Sequence, residues 1–501
     1  MSSSAPAAPS LTRGLRVQRD LLLMPLLILG YGMQFWDKAV LGSAALFQII
    51  PDLGLQGKRF STASSIFYLG YLAGAPPMAF LAGRMRLNVF LGASIAAWGA
   101  VLMLTPAVHN WQGMYAQRFF LGFIEASVSP GFVAVTRKWY TREEQTVRLG
   151  VWYSATGLFS IVSGLTNFGL GQTNTSLRPW MILFLVPGAF TIVLGLLFLV
   201  LLPPSPSEAP VLRLRGYNVF TDERRNALVH AVRTNLTGEG KASLSAHEVR
   251  KALLDPKMWL FFLIATAIYV CNGAVTVFGP QIVKLVWGAT SARALALQAP
   301  GGAMTAVAIY ICIVIARRVR NTRILLLVLS CLPVIAGAAM IWRGNWQTRT
   351  PYVGYLLLPI FGAPFVMLLA VASANVVGPT QQAIATAVIF VGYCCGNFAS
   401  GYILIPAEAP AHYPTTWKIV IGVMCATIGL ALLLLAVLVR ENKVYAAEQQ
   451  AAGPVKGAAH DDAASATEGY ETREKNDADT DSQLSAAAWE EKHRLSFRNQ
   501  Y

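Results

Sequence analysis

The sequence predicts an all-α polytopic membrane protein of twelve transmembrane helices in two six-helix halves, and three observations carry that reading. The 501 residues are 55% hydrophobic and only 13% charged, outside the range of ordinary soluble domains. Most of the charge is confined to two polar ends, one polar middle section and short loops. What remains falls into apolar stretches of about 20 residues, each long enough to cross a hydrocarbon core of about 30 Å. A soluble enzyme and a secreted module are excluded on this basis.

Taken in order, residues 1–20 form a basic cytoplasmic arm carrying Arg13, Arg16 and Arg19. The apolar stretch 21–47 is too long for a cleavable signal peptide and runs through Trp36 and Asp37 without a small-residue cleavage pattern, so it stays as the first span. Spans near 60–83, 88–108, 112–136, 149–170 and 179–202 complete a first half of residues 21–202. The section 203–257 opens with Pro203, Pro204 and Pro206 and runs charged to Asp255-Pro256, which reads as a cytoplasmic linker. The second half, 258–439, holds spans near 258–282, 294–316, 324–342, 352–374, 382–405 and 417–439. Beyond it, 440–501 reads as a mobile acidic tail, because Glu441 to Tyr501 carry twelve acidic and seven basic side chains and no repeated apolar face.

An even number of spans puts both termini on one side. Lys and Arg number 24 on the side of the termini against eight opposite, although short loops alone give ten against eight. Cytoplasmic termini are therefore expected. The expected location is the plasma membrane, with an internal membrane as the alternative, and the chain is expected to act as a monomer. The formal charge of +15 does not point to nucleic acid, since the bases sit between spans and not among stacking aromatics. Lipid is the expected surrounding partner. The six cysteines fall within spans without metal-ligand spacing to a histidine, and no glycine-rich phosphate loop is present, so neither a metal, a cofactor nor a catalytic role is expected.

Inside the spans only Asp37, Lys38, Arg118 and Glu125 are charged. Each costs about 2.5–3.5 kcal/mol at mid-bilayer on insertion scales, so the four require mutual pairing or a watery cavity. Arg118 and Glu125 are seven residues apart, hence on one helix face about 10.5 Å apart along the axis, whereas adjacent Asp37 and Lys38 diverge by about 100°. The simplest partition pairs Asp37 with Arg118 and leaves Lys38 for a ligand. A purely structural quartet is the alternative, although a neutral packed set would insert more cheaply. Asn375 and Asn397 could donate amides to a ligand or tie helices together, and Tyr71, Trp152, Tyr153 and Tyr393 could line a cavity or simply pack.

Two strings carry a family resemblance. Phe35-Trp36-Asp37-Lys38-Ala39-Val40-Leu41-Gly42-Ser43-Ala44 and Arg118-Phe119-Phe120-Leu121-Gly122-Phe123-Ile124-Glu125-Ala126 resemble the first- and fourth-span patterns of the anion:cation symporters within the major facilitator superfamily. Trp98-Gly99, Trp152-Tyr153-Ser154-Ala155 and Ala374-Asn375-Val376-Val377-Gly378-Pro379-Thr380 extend the likeness over residues 20–440, closest to the fungal allantoate, pantothenate and nicotinate permease branch. The resemblance implies the major facilitator fold, Asp37 and Glu125 as the proton-coupling pair, and Lys38, Arg118, Tyr71 and Asn375 as groups that attract or contact an organic anion. Two departures stand out. Lys38 offers a point charge where Arg is also common, and Leu81-Ala82-Gly83-Arg84-Met85-Arg86 lacks the aspartate that many members place there for gating.

These readings converge on a proton-coupled symporter of a small carboxylate-bearing organic anion that works by alternating access, with substrate between the halves near the midplane. A proton-driven exporter of an organic metabolite or drug, a channel, and a non-transporting receptor or scaffold are the rival classes. With two carboxylates in the spans, more than one proton per monovalent anion is the expected stoichiometry.

Overall fold

The structure is a computed structural model that describes residues 12–173, 175–206, 222–233, 246–319, 321–376 and 379–451. Among them, eleven helices are long and apolar enough to cross a membrane. These are the second to the twelfth spans: Arg59–Arg84, Leu87–Ala107, Trp111–Trp139, Val147–Leu170, Pro179–Leu201, Pro256–Val277, Ser291–Arg318, Arg323–Arg343, Thr350–Asn375, Gln381–Ser400 and Pro414–Val444. The helix Arg13–Ala44 is the first span; its 32 residues are ample, but Gln34, Asp37 and Lys38 dilute its apolar run. In the linker, Asp222–Arg233 and Ala246–Leu254 are helical.

The two halves repeat one packing plan. The third span lies along the sixth, and six positions later the ninth lies along the twelfth, as expected of parallel six-helix repeats. Between the halves, the second span meets the eleventh and the fifth meets the eighth. Glycine sets the closest approaches: a Cβ on Gly122 would stand 1.9 Å from the Phe67 carbonyl oxygen, and one on Gly70 2.0 Å from that of Phe119. The second and fourth spans therefore touch backbone to backbone, and the fourth span carries Arg118 and Glu125 into the interior.

Several spans are broken where they border the interior. The fourth pauses between Trp111–Glu125 and Val128–Trp139, so Glu125 ends a helix. The seventh passes from Pro256–Val270 into a π-helical turn at Gly273–Val277, a geometry that recurs at functional sites. The ends differ from the sequence expectation. The first helix starts at Arg13 inside the expected arm, and the last runs to Ala451, past the expected tail boundary at 440. Residues 440–451 hold good helix formers and no Gly or Pro, so nothing stops the turn. The rest of the expected tail lies outside the described residues.

Candidate functional site

The interior charges meet differently from the simplest partition. Lys38 Nζ lies 2.7 Å from Glu125 Oε1, with Glu125 fully buried and the Lys38 side chain 13% exposed. Asp37 turns away, accepting from Trp98 Nε1 at 2.6 Å and from Thr191 Oγ1 at 3.4 Å. The expected pairing of Asp37 with Arg118 and a free Lys38 is thus corrected: Lys38 is the paired base and Glu125 its partner. The reason is the divergence of about 100° between adjacent helical residues, which aims Asp37 at the third and sixth spans and Lys38 at the interior. Arg118 is buried over the Phe184 ring at 5.8 Å, and its Nε and Nη2 make no hydrogen bond.

A cavity lies between the halves, and Lys38 and Tyr393 are on its wall. Tyr153 joins them, its hydroxyl hydrogen-bonded to that of Tyr269 across the two halves. The other expected contacts stand behind the wall. The Tyr71 ring lies 6.0 Å from Lys38 Nζ and 6.0 Å from the Tyr393 ring, with its hydroxyl unpartnered. Trp152 packs on Tyr31 at 4.7 Å and donates to Thr136 Oγ1. Asn397 is a helix tie: it donates to the Tyr393 carbonyl and accepts from Asn272 Nδ2 at 2.6 Å. Asn375 donates to the Val371 carbonyl at 2.7 Å on its own helix. It is off the cavity wall because the tenth span borders the cavity at Phe361 and Gly362, about 20 Å earlier along the axis.

Several wall residues escaped the sequence reading. Tyr31 and Gln34 line the cavity beside Lys38, and their spacing of seven and four residues before it, one face of a helix, was a usable signal. Asn272, in the seventh span, also lines the cavity and anchors a polar network: it donates to Asn397 and, at 3.4 Å, to Tyr68 Oη, and accepts from Thr276 Oγ1 at 2.5 Å. An amide followed by Gly273 in an apolar stretch was the available hint. Tyr269 had none, because its role depends on Tyr153 in the other half.

The halves meet on both sides of the cavity. At the end bearing the termini, Arg137 of the fourth span donates to Thr386 Oγ1 at 2.8 Å and to the Gln382 carbonyl at 3.2 Å in the eleventh. At the opposite end, Ser65 donates to the Phe398 carbonyl at 2.8 Å, and Thr62 and Tyr402 share a hydrogen bond of 3.2 Å. The cavity is therefore flanked by contacts between the halves at either end, each made of a few hydrogen bonds.

Residues 27–401 match the Major Facilitator Superfamily. The chain is 31% identical to an uncharacterized transporter of Schizosaccharomyces pombe over 428 residues, which cover 85% of this chain and 79% of that protein. It is 27% identical to the allantoate permease of Saccharomyces cerevisiae over 450 residues, covering 87% of this chain and 81% of the permease. Among solved structures, the partially occluded inward-open xylose transporter of E. coli shares the fold at a TM-score of 0.61 and 12% identity, over 83% of this chain and 97% of that one.

Proposed function

Because the chain belongs to the Major Facilitator Superfamily and is a membrane transporter, not an enzyme, we propose that it is a proton-coupled symporter of a small carboxylate-bearing organic anion, working by alternating access. The observation that carries this reading is the Lys38–Glu125 contact of 2.7 Å beside the central cavity. Lys38 is the one cationic side chain among the described residues of the cavity wall, and Glu125 already neutralises it.

Proton and substrate then compete for one ammonium group. In the empty, deprotonated carrier the pair is internally balanced, which limits the cost of holding charge in the membrane. A proton on Glu125 leaves Lys38 without its counter-charge, and a substrate carboxylate replaces it. Both the empty deprotonated form and the loaded protonated form are balanced at this site. Protonation without anion, or anion without protonation, leaves one uncompensated charge and opposes closure. Loss of the proton on the inner side restores the pair and expels the anion. In this cycle Asp37 stays hydrogen-bonded to Trp98 and Thr191, away from the cavity, so one proton accompanies each monovalent anion, fewer than two span carboxylates suggest. We place the protein in the plasma membrane with both termini cytoplasmic.

The test is a substrate screen in purified proteoliposomes with an imposed pH gradient, repeated on Glu125→Gln. The variant should lose pH-driven accumulation yet keep exchange of internal for external substrate. Accumulation by the variant equal to that of the parent would sink the assignment.

A further inference from the structure

We infer that the central cavity is shaped for a flat aromatic monocarboxylate; this rests on the carboxylate reading above and narrows it. Aromatic residues make up 11% of the sequence but six of the eighteen residues on the cavity wall. Among the described residues of the wall, the only other hydrocarbon side chains are Val275 and Pro359, with no Leu, Ile or Met, in a chain otherwise rich in them. The apolar part of an occupant therefore meets ring faces and edges almost exclusively.

Five of those rings form one continuous surface across both halves. Tyr31 lies 5.1 Å from Tyr153, whose hydroxyl bonds to that of Tyr269; Tyr269 lies 4.3 Å from Tyr393 and 5.7 Å from Phe361. Lys38 Nζ stands 5.7 Å from the Tyr393 ring, so the charge adjoins the end of the aromatic surface. Offset and edge-on contacts of this kind favour a planar π-system over a puckered ring of equal size. Two further features bound the occupant. Gly157 and Gly302 bring the fifth and eighth spans together backbone to backbone, a Cβ on either standing 2.5 Å from the other's carbonyl oxygen, so the wall closes tightly on that side. With Lys38 the one base among the described residues of the wall, a second carboxylate would find hydroxyls, amides and rings there, so a dianion is disfavoured.

The experiment is equilibrium binding to the purified full-length protein at mildly acidic pH, where Glu125 is more readily protonated, using benzoate, cyclohexanecarboxylate, hexanoate and benzene-1,4-dicarboxylate as probes. Benzoate should bind about tenfold more tightly than cyclohexanecarboxylate, the same ring size without flatness, and about tenfold more tightly than the dicarboxylate. Tyr393→Phe should keep the preference for benzoate and Tyr393→Leu should erase it; if the leucine variant does not fold, the parent's ranking alone decides. Equal or tighter binding of cyclohexanecarboxylate or hexanoate, or no binding of benzoate, overturns the inference. The symport reading fails separately. Aliphatic acids that bind best and accumulate with protons would sink the aromatic preference alone. Benzoate binding that does not respond to pH would sink the proton coupling and leave the aromatic preference standing.

Discussion

The indole of Trp98 donates to Asp37 Oδ2 at 2.6 Å, which fixes the first-span carboxylate against the third span while its neighbour Lys38 lines the cavity. Two adjacent charges thereby serve different ends. Trp98→Phe would leave Asp37 with Thr191 as its remaining donor in a fully buried setting. Losing a hydrogen bond to a charged group costs about 1.5–3 kcal/mol. The variant should melt at a lower temperature in detergent while its anion affinity stays unchanged. An affinity loss with unaltered melting would mean that Asp37 belongs to the binding site after all.

The second- to fourth-span crossing depends on Gly122. A methyl group there would sit 1.9 Å from the Phe67 carbonyl oxygen, inside backbone that cannot swing away, whereas Gly422 has no neighbour within 4 Å of such an atom. Gly122→Ala should reduce the yield of monodisperse protein or lower its melting temperature sharply, and Gly422→Ala should match the parent. Size-exclusion profiles of the two variants, run side by side, check this.

How much of this was legible in the sequence follows from the range of each interaction. Span lengths and the confinement of charge are local properties, and they foretold the twelve helices and the two halves. The four interior charges were visible because charge in an apolar run has no bland explanation. Which charge meets which was not visible, because the choice between Asp37 and Lys38 depends on the rotation of the first helix, which is set by its packing against the fifth and sixth spans, far away in sequence. Asn375 and Asn397 stayed open between ligand contact and helix tie for a related reason. An amide in a span has equally good partners in its own helix, and both residues donate to a carbonyl one turn back.

At the end of the bundle that bears the termini, Glu144 accepts from Arg19 Nη2 at 3.0 Å. Burial pushes its carboxyl pKa up, but the hydrogen bond and charge of Arg19 and the charge of Arg148 outweigh it, leaving a net lowered value. A lowered folded-state value means stability that is fully present above the unfolded carboxylate range, about pH 4.3, and lost as pH falls through the folded value. The melting temperature should therefore fall on acidification below about pH 4.3, with a shallower slope in Glu144→Gln. Matching slopes would remove Glu144 as a contributor.

Topology can be read from two sequons, Asn174-Thr175-Ser176 and Asn235-Leu236-Thr237, whose asparagines both lie outside the described residues. With cytoplasmic termini, Asn235 faces the cytoplasm and should never carry glycan in the full-length protein. A glycan at Asn235, found by mass spectrometry of protein expressed in a eukaryotic host, would reverse the orientation.

The claim that proton and anion compete for Lys38 is tested most directly by counting protons taken up when a transported monocarboxylate binds. Calorimetric titrations in buffers of different ionisation enthalpy give that number, at a pH where Glu125 is ionised in the empty carrier. About one proton should enter per anion bound, and Glu125→Gln should bind the same anion with no proton uptake and no pH dependence. Anion binding to the parent without proton uptake across the pH range, or undiminished uptake by the variant, would contradict the shared-lysine mechanism.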